Sequence, residues 1–96
     1  MQAATENLID VNEFCIYHNV EISFIHSLHQ SGLLETVVIK ETIFIRAEQL
    51  QHLEKLSRLH YEMDINLEGI EAITHLLQRI NEMQTELSKL RNQLES

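Results

Sequence analysis

From Ile73 to Leu94, apolar side chains recur in alternating steps of three and four residues: Ile73, Leu76, Ile80, Met83, Leu87, Leu90 and Leu94. A repeat near 3.5 residues, sustained for three heptads, draws a narrow stripe along one side of a helix, the seam of a coiled coil. A chain of 96 residues buries only a modest share of its surface and has no obvious apolar face left to cover the stripe beyond about Ile80. The pattern therefore predicts that residues 79–96 extend a fourth helix past its own domain and that the seam pairs with a second copy, giving a homodimer. Glu86 and Arg91 fall at g and e positions, which suits a parallel pair; an antiparallel pair stays open. Leu77, beside the seam, can pack back on the domain.

The remainder carries the signals of short helices and one hairpin. There is no proline and there are only two glycines, which favours helices with few loops between them. Residues 1–7 are small and polar and read as a disordered start. Asp10 and Glu13 have the spacing of a capping box, predicting a helix from Val11 to Tyr17 with Val11, Phe14, Cys15 and Tyr17 or His18 facing inward. Asn19 suits the left-handed backbone of a tight turn. A second helix follows from about Glu21 to Gln30, its inner face made by Ile22, Ile25, Leu28 and Leu33 with Phe24 beside them, and Gly32 stops it.

Thr36 to Ile39 and Thr42 to Ile45 are rich in β-branched residues and read as a hairpin, although the intervening Lys40-Glu41 lacks the Asn-Gly signal of a tight turn. A third helix from about Ala47 to Glu62 has the stripe Leu50, Leu53, Leu56, Leu59 and Met63. Asn66 is a good N-cap for the fourth helix. The expected fold is mainly α: a winged helix-turn-helix over residues 8–78 with a small β-hairpin wing, continued by a long C-terminal coiled-coil helix.

The net charge is −8, a field that repels nucleic acid and anionic membrane and favours a basic partner. A helix-turn-helix that reads a duplex needs Lys and Arg against the phosphates. From Met1 to Leu34 there is neither, and Glu6, Asp10, Glu13 and Glu21 give that segment a charge of −4. The helix in the recognition position offers Glu21, Ser23, His26, Ser27, His29 and Gln30, and on the wing Lys40 and Arg46 balance Glu35 and Glu41. No specific nucleic acid partner is expected. No membrane partner is expected either, because no stretch reaches transmembrane length. Met1 to Leu8 lacks the basic and apolar regions of a secretory signal, so the expected location is cytoplasmic.

Catalysis finds no support. Cys15 is the single cysteine, and as a nucleophile it would need an oriented base; His18 lies three residues on, but nothing completes a triad. His26 and His29 could share a metal, yet a structural zinc site wants further Cys or His ligands at fixed spacing. The many carboxylates lack a pocket to hold a pair in divergent environments, and Gly32 and Gly69 are too isolated for a phosphate loop. The expectation is a non-enzymatic protein with no catalytic residues, no metal, no cofactor and no small-molecule substrate.

Val11–Tyr17, Asn19-Val20-Glu21, Ser31-Gly32-Leu33-Leu34 and Glu48-Gln49-Leu50 are similar to the MerR-type winged-helix domain. A closer likeness covers nearly the whole chain. Leu59-His60-Tyr61-Glu62-Met63-Asp64-Ile65-Asn66-Leu67-Glu68-Gly69-Ile70, running on into Ile73, Leu76-Leu77 and Ile80, with the opening Glu13-Phe14-Cys15, resembles the chaperone modulator CbpM family. That resemblance implies binding to the J-domain of a DnaJ-like co-chaperone of the CbpA type, restraining both its stimulation of the chaperone DnaK and its own DNA binding. In that family the J-domain presents a basic helix to the chaperone, so the expected partner-binding residues are acidic. Glu62 and Asp64 lie at the junction of the third and fourth helices, and Glu68 and Glu71 share one face of the fourth. Two other readings are a MerR-type DNA-binding transcriptional regulator, disfavoured by the missing Lys and Arg, and a coiled-coil adaptor for another protein partner.

Overall fold

The computed structural model describes residues 7–95. The expected disordered start lies, apart from Asn7, outside the described residues; the Asn7 carbonyl accepts a hydrogen bond from the Ala47 N–H at 2.8 Å. The described elements are β1 (Leu8–Asp10), α1 (Val11–His18), α2 (Ile22–Gln30), β2 (Val37–Ile39), β3 (Thr42–Arg46), a 3-10 turn (Ala47–Gln49), α3 (Leu50–Tyr61) and α4 (Leu67–Glu95).

Side-chain and backbone caps mark where the helices begin and end. Asp10 accepts from the Asn12 N–H at 2.9 Å and so starts α1, satisfying one of the donors a helix leaves free. Asn19 (φ 59°) takes the left-handed conformation, and the Val20 N–H closes back on the Cys15 carbonyl at 2.9 Å. At the end of α2, Gly32 has φ 80°. Its N–H reaches the His29 carbonyl and the Leu33 N–H reaches the Leu28 carbonyl, the paired bonds of a Schellman motif that require a residue tolerant of positive φ. Asn66 Oδ1 accepts from the Gly69 N–H at 2.8 Å and opens α4. The helix-turn-helix, the glycine stop and the Asn66 cap therefore stand where the sequence predicts them.

The wing has one more strand than expected. β1 pairs antiparallel with β3, which also pairs with β2, so the sheet order is β1-β3-β2. The hairpin turn is Lys40-Glu41, both at positive φ (51° and 69°). Positive φ at both central residues is the type I′ turn whose twist matches a two-residue hairpin, here built without Asn or Gly. Left-handed backbone costs an L-residue about 1–2 kcal/mol. Replacing the turn by Lys40→Asn, Glu41→Gly is expected to raise stability by about 1 kcal/mol, part of the relief being lost to the chain entropy of glycine, and thermal denaturation followed by circular dichroism would read it.

The core lies between the sheet and the helices. Val11, Phe14, Cys15, Phe24, Ile25, Leu28, Leu34, Ile45, Leu53, Leu56 and Ile70 are buried together. Four sequence expectations are corrected here. Tyr17 and His18 both point outward; Leu34 rather than Leu33 is the fully buried residue after Gly32; Ile22 is exposed; Met63 is exposed. Helical phase explains Met63. α3 ends at Tyr61, and Asp64 (φ 57°) turns the chain the other way. The third helix also begins later than expected, since residues 47–49 form a 3-10 turn. α4 is 29 residues long, about 43 Å at 1.5 Å per residue. Ile70 is its one buried residue among those described.

Candidate functional site

α2 occupies the position of a recognition helix, and its surface is built from the residues the sequence predicts. Glu21, Ser23, His26, His29 and Gln30 are exposed. The N-terminal end of such a helix is what meets base edges in a duplex reader. Here that end is tied to α3: the Glu21 N–H donates to the Tyr61 hydroxyl at 3.0 Å, Tyr61 meets the Phe24 ring edge-on, and Phe24 stacks on His60 at 4.5 Å between centroids. The His60 Nδ1 lies 2.9 Å from the Ile65 carbonyl, which locks the α3–α4 connection.

The other reactive groups resolve into structural roles. His29 Nδ1 is 3.2 Å from Thr36 Oγ1 and joins the end of α2 to the wing. Among the described residues, no three His, Cys, Asp or Glu side chains gather as metal ligands do. Cys15 is buried, and burial pushes its thiol above the ordinary range, which lowers the thiolate fraction a nucleophile needs. His18 stacks face to face on Phe14 at 4.2 Å.

The acidic residues singled out from the sequence do not form one cluster of equal exposure. Glu62, Asp64 and Glu68 are exposed, whereas Glu71 is half-buried. Glu62 lines a cavity of about 270 Å³ between α1 and α3, with Phe14, His18, Glu54, Ser57 and Arg58; Asp64, Glu68 and Glu71 are not among its lining residues. Of the seam, Ile73 is half-buried against the domain, and Leu76, Ile80, Met83, Leu87, Leu90 and Leu94 are about half exposed or more. Leu77 lines a groove with Leu56 and Leu59 of α3. No described helix is long and apolar enough to cross a membrane.

One surface was not read from the sequence. Ile16 and Tyr17, on the outer side of α1, are 82% and 86% exposed. The signal was present, since α1 carries apolar residues on both sides, but an eight-residue helix gives too few turns to say which side faces the core.

A family model described as MerR HTH family regulatory protein matches residues 9–92. It takes in the helix-turn-helix, the wing and most of α4. No curated protein and no solved structure matches the chain. With a family match running through nearly all of the fold described above, the chain belongs to the MerR HTH family of regulatory proteins.

Proposed function

We propose that the protein is a cytoplasmic, non-enzymatic chaperone modulator. It forms a homodimer through the seam of α4 and binds the J-domain of a DnaJ-like co-chaperone of the CbpA type, holding that domain away from DnaK and the co-chaperone away from DNA. The observation that carries this reading is a helix-turn-helix without a cation: α1 and α2 contain no Lys or Arg. Phosphate neutralisation supplies essentially all non-specific affinity for a duplex, and this scaffold lacks that term where it would be needed. What it presents instead is acidic surface and exposed apolar stripes, which suit a basic protein partner. The likeness of Leu59–Ile70 to the CbpM family supplies the identity of that partner.

Calorimetric titration against the isolated J-domain across a salt series tests the reading. Binding is expected and should weaken as salt rises. Failure to bind any J-domain encoded in the same genome would overturn it. Opposite charges raise association rates more than they raise affinity. A Glu68→Lys, Glu71→Lys double variant should therefore associate about threefold to tenfold more slowly while remaining folded, read by surface plasmon resonance.

A second reading, a DNA-binding transcriptional regulator, is favoured by the family description and by the helix-turn-helix itself. It requires a sequence-dependent duplex complex, to which Lys40 and Arg46 of the wing would bring cations. A coiled-coil adaptor with another partner shares the α4 pairing and differs only in what the domain binds.

A further inference from the structure

Large apolar side chains that stand together on a surface mark an interaction site more often than scattered ones do. α1 buries Val11, Phe14 and Cys15 and leaves Ile16 and Tyr17 almost fully exposed. With Ile9 and Leu50 these two side chains border a groove of about 470 Å³ along α1. The stacked pair Phe14 and His18 forms its wall and also the wall of the cavity between α1 and α3. That cavity differs in chemistry. Glu54 and Arg58 of α3 and Glu62, the residue that caps its C-terminus, follow one another at four-residue spacing on one side, and Ser57 lies among them. Ser57 Oγ is buried without a hydrogen-bond partner, although buried polar groups are paired in the great majority of cases. Glu13 borders the apolar groove, so the whole face carries three carboxylates against one guanidinium.

We propose that this face docks an amphipathic basic helix of the partner protein. One apolar side chain of the partner enters the groove beside Ile16 and Tyr17. A neighbouring Lys or Arg enters the cavity, where Glu54 and Glu62 balance its charge, Ser57 Oγ accepts one of its N–H groups and the Phe14–His18 stack flanks its stem. The proposal rests on the reading above that the protein binds a basic partner, and it puts the anchor of that contact on α1, α3 and Glu62, with Glu68 and Glu71 steering the partner's approach. A second copy of this chain is a poor occupant. Its long helix, α4, carries five acidic residues against three basic ones, and would bring like charge to an acidic face.

The test compares Ile16→Ser, Tyr17→Ser with Glu54→Gln, Glu62→Gln, each in the full chain. Two probes are titrated by surface plasmon resonance: the isolated J-domain, and a synthetic amphipathic helix of Leu and Lys. Ile16, Tyr17 and Glu62 are exposed and Glu54 is half-buried, so the variants should stay folded, which circular dichroism checks. The apolar pair should weaken binding of both probes by about tenfold or more, as loss of a buried aromatic anchor does. The charge pair should slow association several-fold and flatten the salt dependence. Undiminished J-domain binding in both variants overturns the proposed face and leaves the J-domain reading standing. Wild-type protein that ignores the J-domain overturns that reading, and the peptide then decides the face alone: loss on Ile16→Ser, Tyr17→Ser supports it, and no binding or undiminished binding overturns it. Conversion of a dimer to a monomer by the apolar pair would assign the face to a second copy and overturn the proposal.

Discussion

Leu87→Asp is expected to turn a dimer into a monomer. Leu87 stands in the middle of the exposed part of α4, at a seam position with the same spacing as Ile80, Met83, Leu90 and Leu94. In a paired seam it would insert between four residues of the facing helix. A carboxylate there would be desolvated against apolar side chains on both chains, a cost of several kcal/mol per charge. Because both copies carry the substitution, the penalty enters twice. At tens of micromolar, sedimentation equilibrium should give twice the chain mass for the wild type and one chain mass for the variant. The core beneath is untouched, so the wing and the first three helices should keep their circular dichroism while the tail loses helicity, since an isolated helix is marginal in water. A wild type already monomeric at that concentration would remove the dimer from the account.

Ile70→Ala is expected to act at the other end of the same helix and in the opposite way. Ile70 is fully buried, and it is the one buried residue of α4 among those described, so the docking of a 29-residue helix rests largely on it. Half-buried Leu67 and Ile73 add to the contact. Truncating a buried Ile to Ala costs about 2–5 kcal/mol, transfer and cavity terms together. Domains have about 5–15 kcal/mol in all, so this single change should remove a large part of the stability. Urea unfolding at fixed protomer concentration should show the midpoint falling with the slope unchanged. Below the transition the variant should still sediment as a dimer. The two substitutions thus separate what holds α4 to its own domain from what holds it to another chain.

Much of this was legible in the sequence, for reasons that differ by element. The seam of α4 shows because a period sustained from Ile73 to Leu94 has few competing explanations. Asn19, Gly32 and Asn66 show because each supplies a backbone or capping property that few other residues share. β1 did not show. Leu8–Asp10 is three residues long and is a strand only through pairing with β3, a contact between segments far apart in the chain that no local pattern reports. The hairpin was recognised from its strands, while its turn was hidden because Lys40 and Glu41 adopt left-handed backbone against their preference. Tyr17 or His18 is expected on the inner side and both face out, because α1 carries apolar residues on both sides. Leu34 is the more deeply buried of the pair because the left-handed step at Gly32 resets the direction of the side chains that follow, while Leu33 packs against the core from its edge.

The candidate site divides in the same way. The helix-turn-helix without cations can be counted directly along the chain. The cavity that brings Glu54 beside Glu62 forms only once α1 lies on α3, so the sequence of the α3–α4 junction alone does not show that neighbour.

On the function proposed above, a helix-turn-helix of the MerR HTH family serves a protein partner in place of a duplex. A fluorescence-anisotropy competition tests it most directly. A labelled J-domain is bound by the protein at low salt, where phosphate contacts are strongest, and is then challenged with unlabelled J-domain or with random and promoter duplexes. The expected result is a rise in anisotropy that unlabelled J-domain reverses and that neither duplex reverses. No rise on mixing, or release of the J-domain by one duplex at sub-micromolar concentration and not by the other, would contradict it.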